Sequence, residues 1–465
     1  MVTLFFCVLV SYASLSLFYI KQRRKINLFG TLFLSIISFL FVTNMVAKIT
    51  LAWPLENIFL LDNSVTLAGK VSLLTISLFF LFLNVFEKKQ DQVQISTATV
   101  VGNYILLFAS GAVLFDSLLM FYFFYELAWL LLMFLLGLLL YREKGNTYRV
   151  LINILFGSTL FNIFCILSLS SWITPKQSFF NLSAQTLANM ENIKPSEISI
   201  DLLVYVLIGV LILKTLFPIF YAAQLDSHQK KLQSYIFNIQ VAVNTVLTVY
   251  VLTHFFKNHL NKILLDFAWI HATLPWMLIL TGSFFVIRSK TNDNYFKSIL
   301  FIYNVIFISG IILIAPINSK MVGLFTAHFL ISFALINVIN EILKERFGCQ
   351  ARWVPLGLKK TMPRFFLLLV VWLVVTCGFP WSGGNIVKMF YISKLASQPP
   401  FAIYFWGIFV FTFLLFFIPF ILSVKKGETS KEVLEKFSDI NIYEFSIISL
   451  LITAELVLGV GGQQL

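Results

Sequence analysis

Apolar runs of about twenty residues recur along the whole chain, parted by short polar connections, and a run of that length is what a helix needs to cross a bilayer. About fourteen can be placed, near 2–20, 28–47, 65–86, 97–115, 117–140, 148–172, 200–222, 233–256, 268–287, 298–317, 321–343, 365–395, 401–423 and 442–460. They are apolar all round rather than along one stripe, which separates them from surface helices of a soluble domain. With 12% charged and 59% hydrophobic residues over 465 positions, the chain cannot cover itself in water; soluble domains carry about 25% charge. A cytosolic enzyme, a disordered chain and a nucleic-acid binder are excluded. The predicted fold class is all-α: a polytopic membrane protein of about fourteen transmembrane helices.

Charge sets the orientation. Connections following odd-numbered runs hold 24 of the 34 Lys and Arg residues, and even connections hold seven. Lys70, Lys214 and Lys388 fall inside runs. By the positive-inside rule both termini are predicted on the outer side. This anchoring accounts for the net charge of +13 without an acidic partner. The first run lacks a basic leader and reads as a span, not a cleaved signal. Cys7, Cys165, Cys349 and Cys377 form no CxxC pair and read as small packing residues. The richness in Phe, 52 residues, hints at an AT-rich, organellar genome.

Ionisable residues at membrane depth are costly, so each is a functional candidate. Glu126 lies near the centre of the fifth run, Lys214 inside the seventh and Lys388 inside the twelfth. The plainer alternatives are a fixed interhelical pair for Glu126 and snorkelling for the lysines. For Asp116 and Lys70, nearer run ends, the plain alternative is preferred; Glu341 and Glu455 stay open. Two runs also carry helix breakers. Pro218 follows Lys214 in the seventh, and Gly378, Pro380, Gly383 and Gly384 cluster in the twelfth. Interrupted backbone at this depth must line protein or a wet cavity. The two runs are five apart and so cross in opposite directions, as inverted five-helix repeats would.

The predicted layout is one membrane domain: three N-terminal spans over 1–96, repeats over 97–256 and 268–423, and a last loop and span over 424–465. Each repeat would hold a lysine beside a break. Burial disfavours the charged ammonium and a nearby carboxylate favours it, so a Glu126–Lys214 pair is suited to taking and releasing a proton. His328, Asn337 and Asn340 in the eleventh run, and Asn238, Gln240 and Asn244 in the eighth, are candidates to extend such a route; the alternative for each is hydrogen-bonded packing. No Walker loop, GxGxxG motif or cysteine set for an iron–sulfur cluster is present, so no cofactor or metal is assigned to the chain itself.

These residues resemble the antiporter-like membrane subunits of proton-pumping NADH:quinone oxidoreductase, respiratory complex I. Glu126 stands in a run like the family's FxxxELxxLxxxxL, and Lys214 with Pro218 and Phe220-Tyr221 resembles its broken seventh span. Gly357-Leu358, Met362-Pro363 and Gly378-Phe-Pro380 followed by Gly384 and Lys388 resemble its twelfth. Lysine rather than glutamate at Lys388 resembles the subunit 2 and subunit 5 types; subunit 5 is longer and carries a lateral amphipathic helix, so subunit 2 is preferred, while His328, Ser332 and Asn340 look more like subunit 4. The family's eighth-span lysine is missing, with Asn244 near its place.

The resemblance implies a proton-translocating subunit without redox chemistry of its own, moving protons through Glu126, Lys214 and Lys388, with His328 and Asn244 as relay candidates. NADH, FMN, iron–sulfur clusters and ubiquinone would sit elsewhere in the complex. Partners would be other membrane-arm subunits and membrane lipids, cardiolipin among them, and no nucleic acid. The implied location is the mitochondrial inner membrane, organelle-encoded, with both termini facing the intermembrane space; a bacterial plasma membrane is the alternative. A stand-alone cation/proton antiporter and a spacer that has lost transport are the rival functions.

Overall fold

The computed structural model describes residues 8–15, 23–42, 67–86, 94–114, 117–143, 146–173, 204–216, 230–256, 260, 277, 280–286, 288, 292–314, 319–347, 358–376, 382–386, 389 and 439–462. Every regular element among them is helical. The longer helices are α1 (Arg23–Val42), α2 (Leu67–Phe86), α3 (Gln94–Leu114), α4 (Leu118–Glu143), α5 (Asn146–Ile173), α6 (Lys230–His254), α7 (Asn292–Ile314), α8 (Ser319–Phe347), α9 (Pro363–Thr376) and α10 (Ile442–Gly462). Among the described residues, five stretches are long and apolar enough to cross a membrane, in α4, α6, α7, α8 and α10. Shorter apolar helices include Val204–Leu216. The predicted count of spans and their repeats extend over residues outside the described set.

Contacts divide the chain into two units, the first holding Met1–Tyr221 and Asp226–Asp266, the second most of the chain from Phe267 onward. In the first unit α6 packs against α2, α3 and α4 and is almost wholly buried. Its sequence is rich in Val and Thr, which are weak helix formers in water. In a bilayer the helix is imposed because every backbone group must be satisfied within the segment. Polar side chains at helix contacts fasten the unit. Tyr12 Oη donates to Asn103 Oδ1 at 2.7 Å, and Asn103 Nδ2 donates to Asn27 Oδ1 at 3.0 Å, tying residues 8–15, α1 and α3 together. Thr31, Ser35 and Ser38 on α1 donate back to carbonyls one turn earlier, which satisfies hydroxyls that water cannot reach.

α4 sorts its all-apolar sequence into two faces. Tyr122, Tyr125, Glu126 and Trp129 are buried, at helical spacing, while Phe123, Leu130 and Phe134 are exposed on the other side. α5 does the same, exposing Phe156, Leu160, Ile163, Phe164 and Leu167. Both stripes are exposed apolar surface of the single chain.

In the second unit α9 packs against α10. The Asp439 carboxylate accepts the backbone N–H groups of Arg364 at 2.8 Å and Phe365 at 3.3 Å, capping the start of α9. Asn441 and Glu444 cap α10 reciprocally, each side chain accepting the other's backbone N–H at 2.9 Å. Glu444 also accepts from Arg346, near the end of α8, at 3.1 Å. The end of α8 and the starts of α9 and α10 therefore meet. Asn441→Ala removes one half of the cap and is expected to lower stability by about 1 kcal/mol. Thermal unfolding of the purified protein in detergent measures this, and an unchanged midpoint would contradict the capping role.

Candidate functional site

Glu126 is delivered by the buried face of α4, and Lys214 stands two residues before Leu216, the end of the Val204–Leu216 helix. Their side chains are 7% and 1% exposed. Lys214 Nζ donates to Glu126 Oε1 at 2.6 Å and to Oε2 at 2.8 Å. α5 supplies two more groups from adjacent turns of one face: Thr159 Oγ1 accepts from Nζ at 3.2 Å, and Asn162 Nδ2 donates to Glu126 Oε1 at 3.0 Å. The Tyr125 and Trp129 rings each lie 5.4 Å from Nζ, placing aromatic faces around the ammonium. One residue beyond Lys214, Thr215 Oγ1 meets Thr248 Oγ1 of α6 at 2.7 Å, which fixes this helix end laterally.

Charged, the pair is net neutral and satisfied on four sides. Its carboxylate accepts from Lys214 and Asn162, and its ammonium donates to the carboxylate and Thr159. A buried ion pair persists only under such conditions, because desolvation otherwise outweighs attraction. An ammonium bonded to both oxygens of one carboxylate can pass a proton to it or take one back; among the described residues no group of three metal-ligating side chains occurs. What the arrangement can hold reversibly is a proton.

The remaining sequence candidates divide. Asn244 is buried on α6, and no hydrogen bond joins it to the Glu126–Lys214 pair among the described residues. Asn337 donates to the Phe333 carbonyl of its own helix at 3.0 Å, an internal tie. His328, in the second unit, is engaged with Glu455, as set out below. Gly383 and Gly384 lie in a short helical turn after Ser382. Lys388, Pro218, Gly378, Pro380 and Asp116 lie outside the described residues.

Thr159 and Asn162 were not anticipated as part of the site. Their signal is two polar residues three apart in the apolar stretch Gly157-Ser-Thr-Leu-Phe-Asn162, which places both on one helix face. Glu455, open in the sequence, lies fully buried on α10, whose all-round apolar pattern does not mark its inward side.

No protein-family model matches the sequence, and a comparison with curated proteins finds no match. Solved structures do match in fold. A chain of the Mrp complex from Dietzia sp. DQ12-45-1b superposes with a TM-score of 0.71 at 15% identity, covering 100% of this chain and 94% of that one. A chain of respiratory complex I from Thermus thermophilus with bound NADH gives 0.74 at 15% identity, covering 99% and 95%. A chain of the membrane-bound sulfane sulfur reductase, an archaeal respiratory membrane complex, gives 0.65 at 15% identity, covering 100% and 95%. The shared fold runs the full length of the chain and is that of membrane-embedded chains from multi-subunit complexes.

Proposed function

We propose that this chain is a proton-translocating, antiporter-like subunit in the membrane arm of an NADH:quinone oxidoreductase, closest to the subunit 2 type. The observation that carries this is the buried Glu126–Lys214 pair, neutral when closed and held by groups from three helices. Separation of the two side chains would strand a charge in a low-dielectric interior, and such a charge is removed by proton transfer. Closing the pair would favour taking a proton back. A conformational push from redox chemistry in other subunits thus becomes a proton gained or lost at Lys214. Buried amide atoms on α6, Asn238 Oδ1, Gln240 Nε2 and Asn244 Nδ2, find no hydrogen-bond partner among the described residues, and in natural proteins such atoms are met by water. They suit a wetted continuation of the route, and Lys388 is the proposed counterpart of Lys214 in the second repeat.

Under this proposal the partners are neighbouring membrane-arm subunits and lipid, and NADH, FMN, iron–sulfur clusters and ubiquinone belong to other chains. The mitochondrial inner membrane, with both termini in the intermembrane space, is the proposed location. A second function, cation/proton exchange without NADH oxidation, is compatible with the same fold and the same buried pair. Purification of the intact complex from its native membrane, followed by reconstitution into vesicles, separates the two. The expected result is NADH-driven proton translocation whose yield falls in Lys214→Met. Sodium/proton exchange in a complex devoid of NADH oxidation would replace the first function by the second.

A further inference from the structure

A second buried titratable centre lies in the unit that holds α7, α8 and α10. His328 Nδ1 stands 2.8 Å from Glu455 Oε1 and 2.9 Å from Oε2. Ser332, one turn along α8, donates to Glu455 Oε1 at 3.0 Å. The other imidazole nitrogen, Nε2, stands 2.6 Å from the Tyr303 hydroxyl on α7. Glu455 is fully buried on α10, and the His328 side chain is 7% exposed. The ring of Phe329 stacks on those of Tyr303 and Phe307 at interplanar angles of 11° and 15°, closing one wall with apolar surface.

The resemblance implies His328 as a relay; we propose that Glu455, carried by the last helix, shares its proton as a further titratable group, with the Tyr303 hydroxyl bonded to the far nitrogen of the ring. The inference rests on the chain being a proton translocator. With one proton on the imidazole, Nδ1–H donates to the carboxylate, Nε2 accepts from the Tyr303 hydroxyl, and the dyad carries one negative charge. Addition of one proton gives either imidazolium–carboxylate or imidazole–carboxylic acid. Both are net neutral and differ only in the position of a hydrogen along the Nδ1–Oε line. With Nε2 protonated, the Tyr303 hydroxyl turns to accept. No other bond forms or breaks.

Three observations favour a reversible site over a permanent brace. The partner is histidine, whose two ring nitrogens can donate on one side and accept on the other, linking Glu455 to Tyr303, where Lys or Arg could only donate. Among the described residues no lysine or arginine is bonded to the Glu455 carboxylate; its partners are His328 and Ser332 from α8, and Tyr303 from α7 faces it through the ring. Thirdly, a Cβ added at Gly383 would stand 2.6 Å from Glu455 Oε2. Glycine there, in the cluster of breakers read from the twelfth run, lets the turn after Ser382 lie against the carboxylate without a side chain entering the site.

The test uses the intact complex in vesicles, with proton translocation measured across a pH series for wild type, Glu455→Gln, Ser332→Ala and Lys214→Met. Glu455→Gln preserves shape and removes the titratable group. It is expected to slow translocation about tenfold or more with normal assembly, a typical loss for a positioned proton carrier. It is also expected to abolish one limb of the pH profile, and Ser332→Ala to shift that limb by weakening the carboxylate form. If Glu455→Gln does not assemble, the limb in Ser332→Ala decides: a shift supports the site and an unmoved profile overturns it. Wild-type rate and profile in Glu455→Gln, beside loss in Lys214→Met, overturns this site alone. Wild-type behaviour in both variants overturns the parent function with it.

Discussion

Lys214→Met and Glu126→Gln, made singly, are each expected to stop proton translocation through the first unit and to destabilise the protein. The physical cause differs from that of an ordinary core deletion. Lys214 Nζ and the Glu126 carboxylate lie 2.6 Å apart with almost no exposure, so removal of one leaves the other as an uncompensated charge in oil. Breaking a pair of that kind costs roughly 3–5 kcal/mol. The double variant removes both charges and keeps comparable volume. It is expected to recover part of that loss, since no charge is then left unpaired, while the buried amide at position 126 keeps a donor to satisfy. Translocation is not expected to recover. Thermal unfolding of the complex in detergent and vesicle acidification, run on all three variants, check the two halves separately. Recovery of both would reduce the pair to a structural brace, and recovery of neither would show that its role in stability is not electrostatic.

Asn103→Leu is expected to produce the second large effect, of opposite character. The variant loses both hydrogen bonds of the Tyr12–Asn103–Asn27 chain at once, where residues 8–15, α1 and α3 meet. Each buried hydrogen bond lost costs about 1–3 kcal/mol when its partner is left short, so a loss of about 2–6 kcal/mol is expected. No residue of the Glu126–Lys214 site is touched, and each copy that assembles should translocate protons at the wild-type rate. Thermal unfolding and the amount of assembled complex report the first part. Translocation normalised to assembled complex reports the second, and a fall in the normalised rate would assign this network a part in transport.

The contrast between these two sites explains what could be read in the sequence. Glu126 and Lys214 stood out because an ionisable residue in an apolar run has few physical excuses. Helical class followed from the length of the runs; of the breakers expected in the twelfth run, Gly383 and Gly384 lie in a short helical turn, and Gly378 and Pro380 lie outside the described residues. Thr159 and Asn162 did not stand out, because hydroxyls and amides recur throughout these helices and most bond to their own backbone, as Thr31, Ser35 and Asn337 do. What distinguishes the few that matter is the face on which they lie. α4, α5 and α10 are apolar around their whole circumference, so the pattern gave no inward direction. Only tertiary packing decides that Phe123 and Phe134 face outward while Glu126 faces in. The same ambiguity hid Glu455, whose partner lies 127 positions away in sequence. Asn244 shows the converse: its place beside the missing eighth-span lysine suggested a relay, yet no hydrogen bond ties it to the pair, and its proposed part depends on water reaching α6.

The central claim is that the proton on the Glu126–Lys214 pair moves during turnover rather than bracing the fold at rest. Infrared difference spectroscopy on the intact complex, with isotope-labelled glutamate and Glu126→Gln as reference, follows that carboxyl group directly. A carboxyl band that appears and disappears with turnover, and is missing from Glu126→Gln, is the predicted result. A carboxylate signal that stays constant while protons cross the membrane would contradict it.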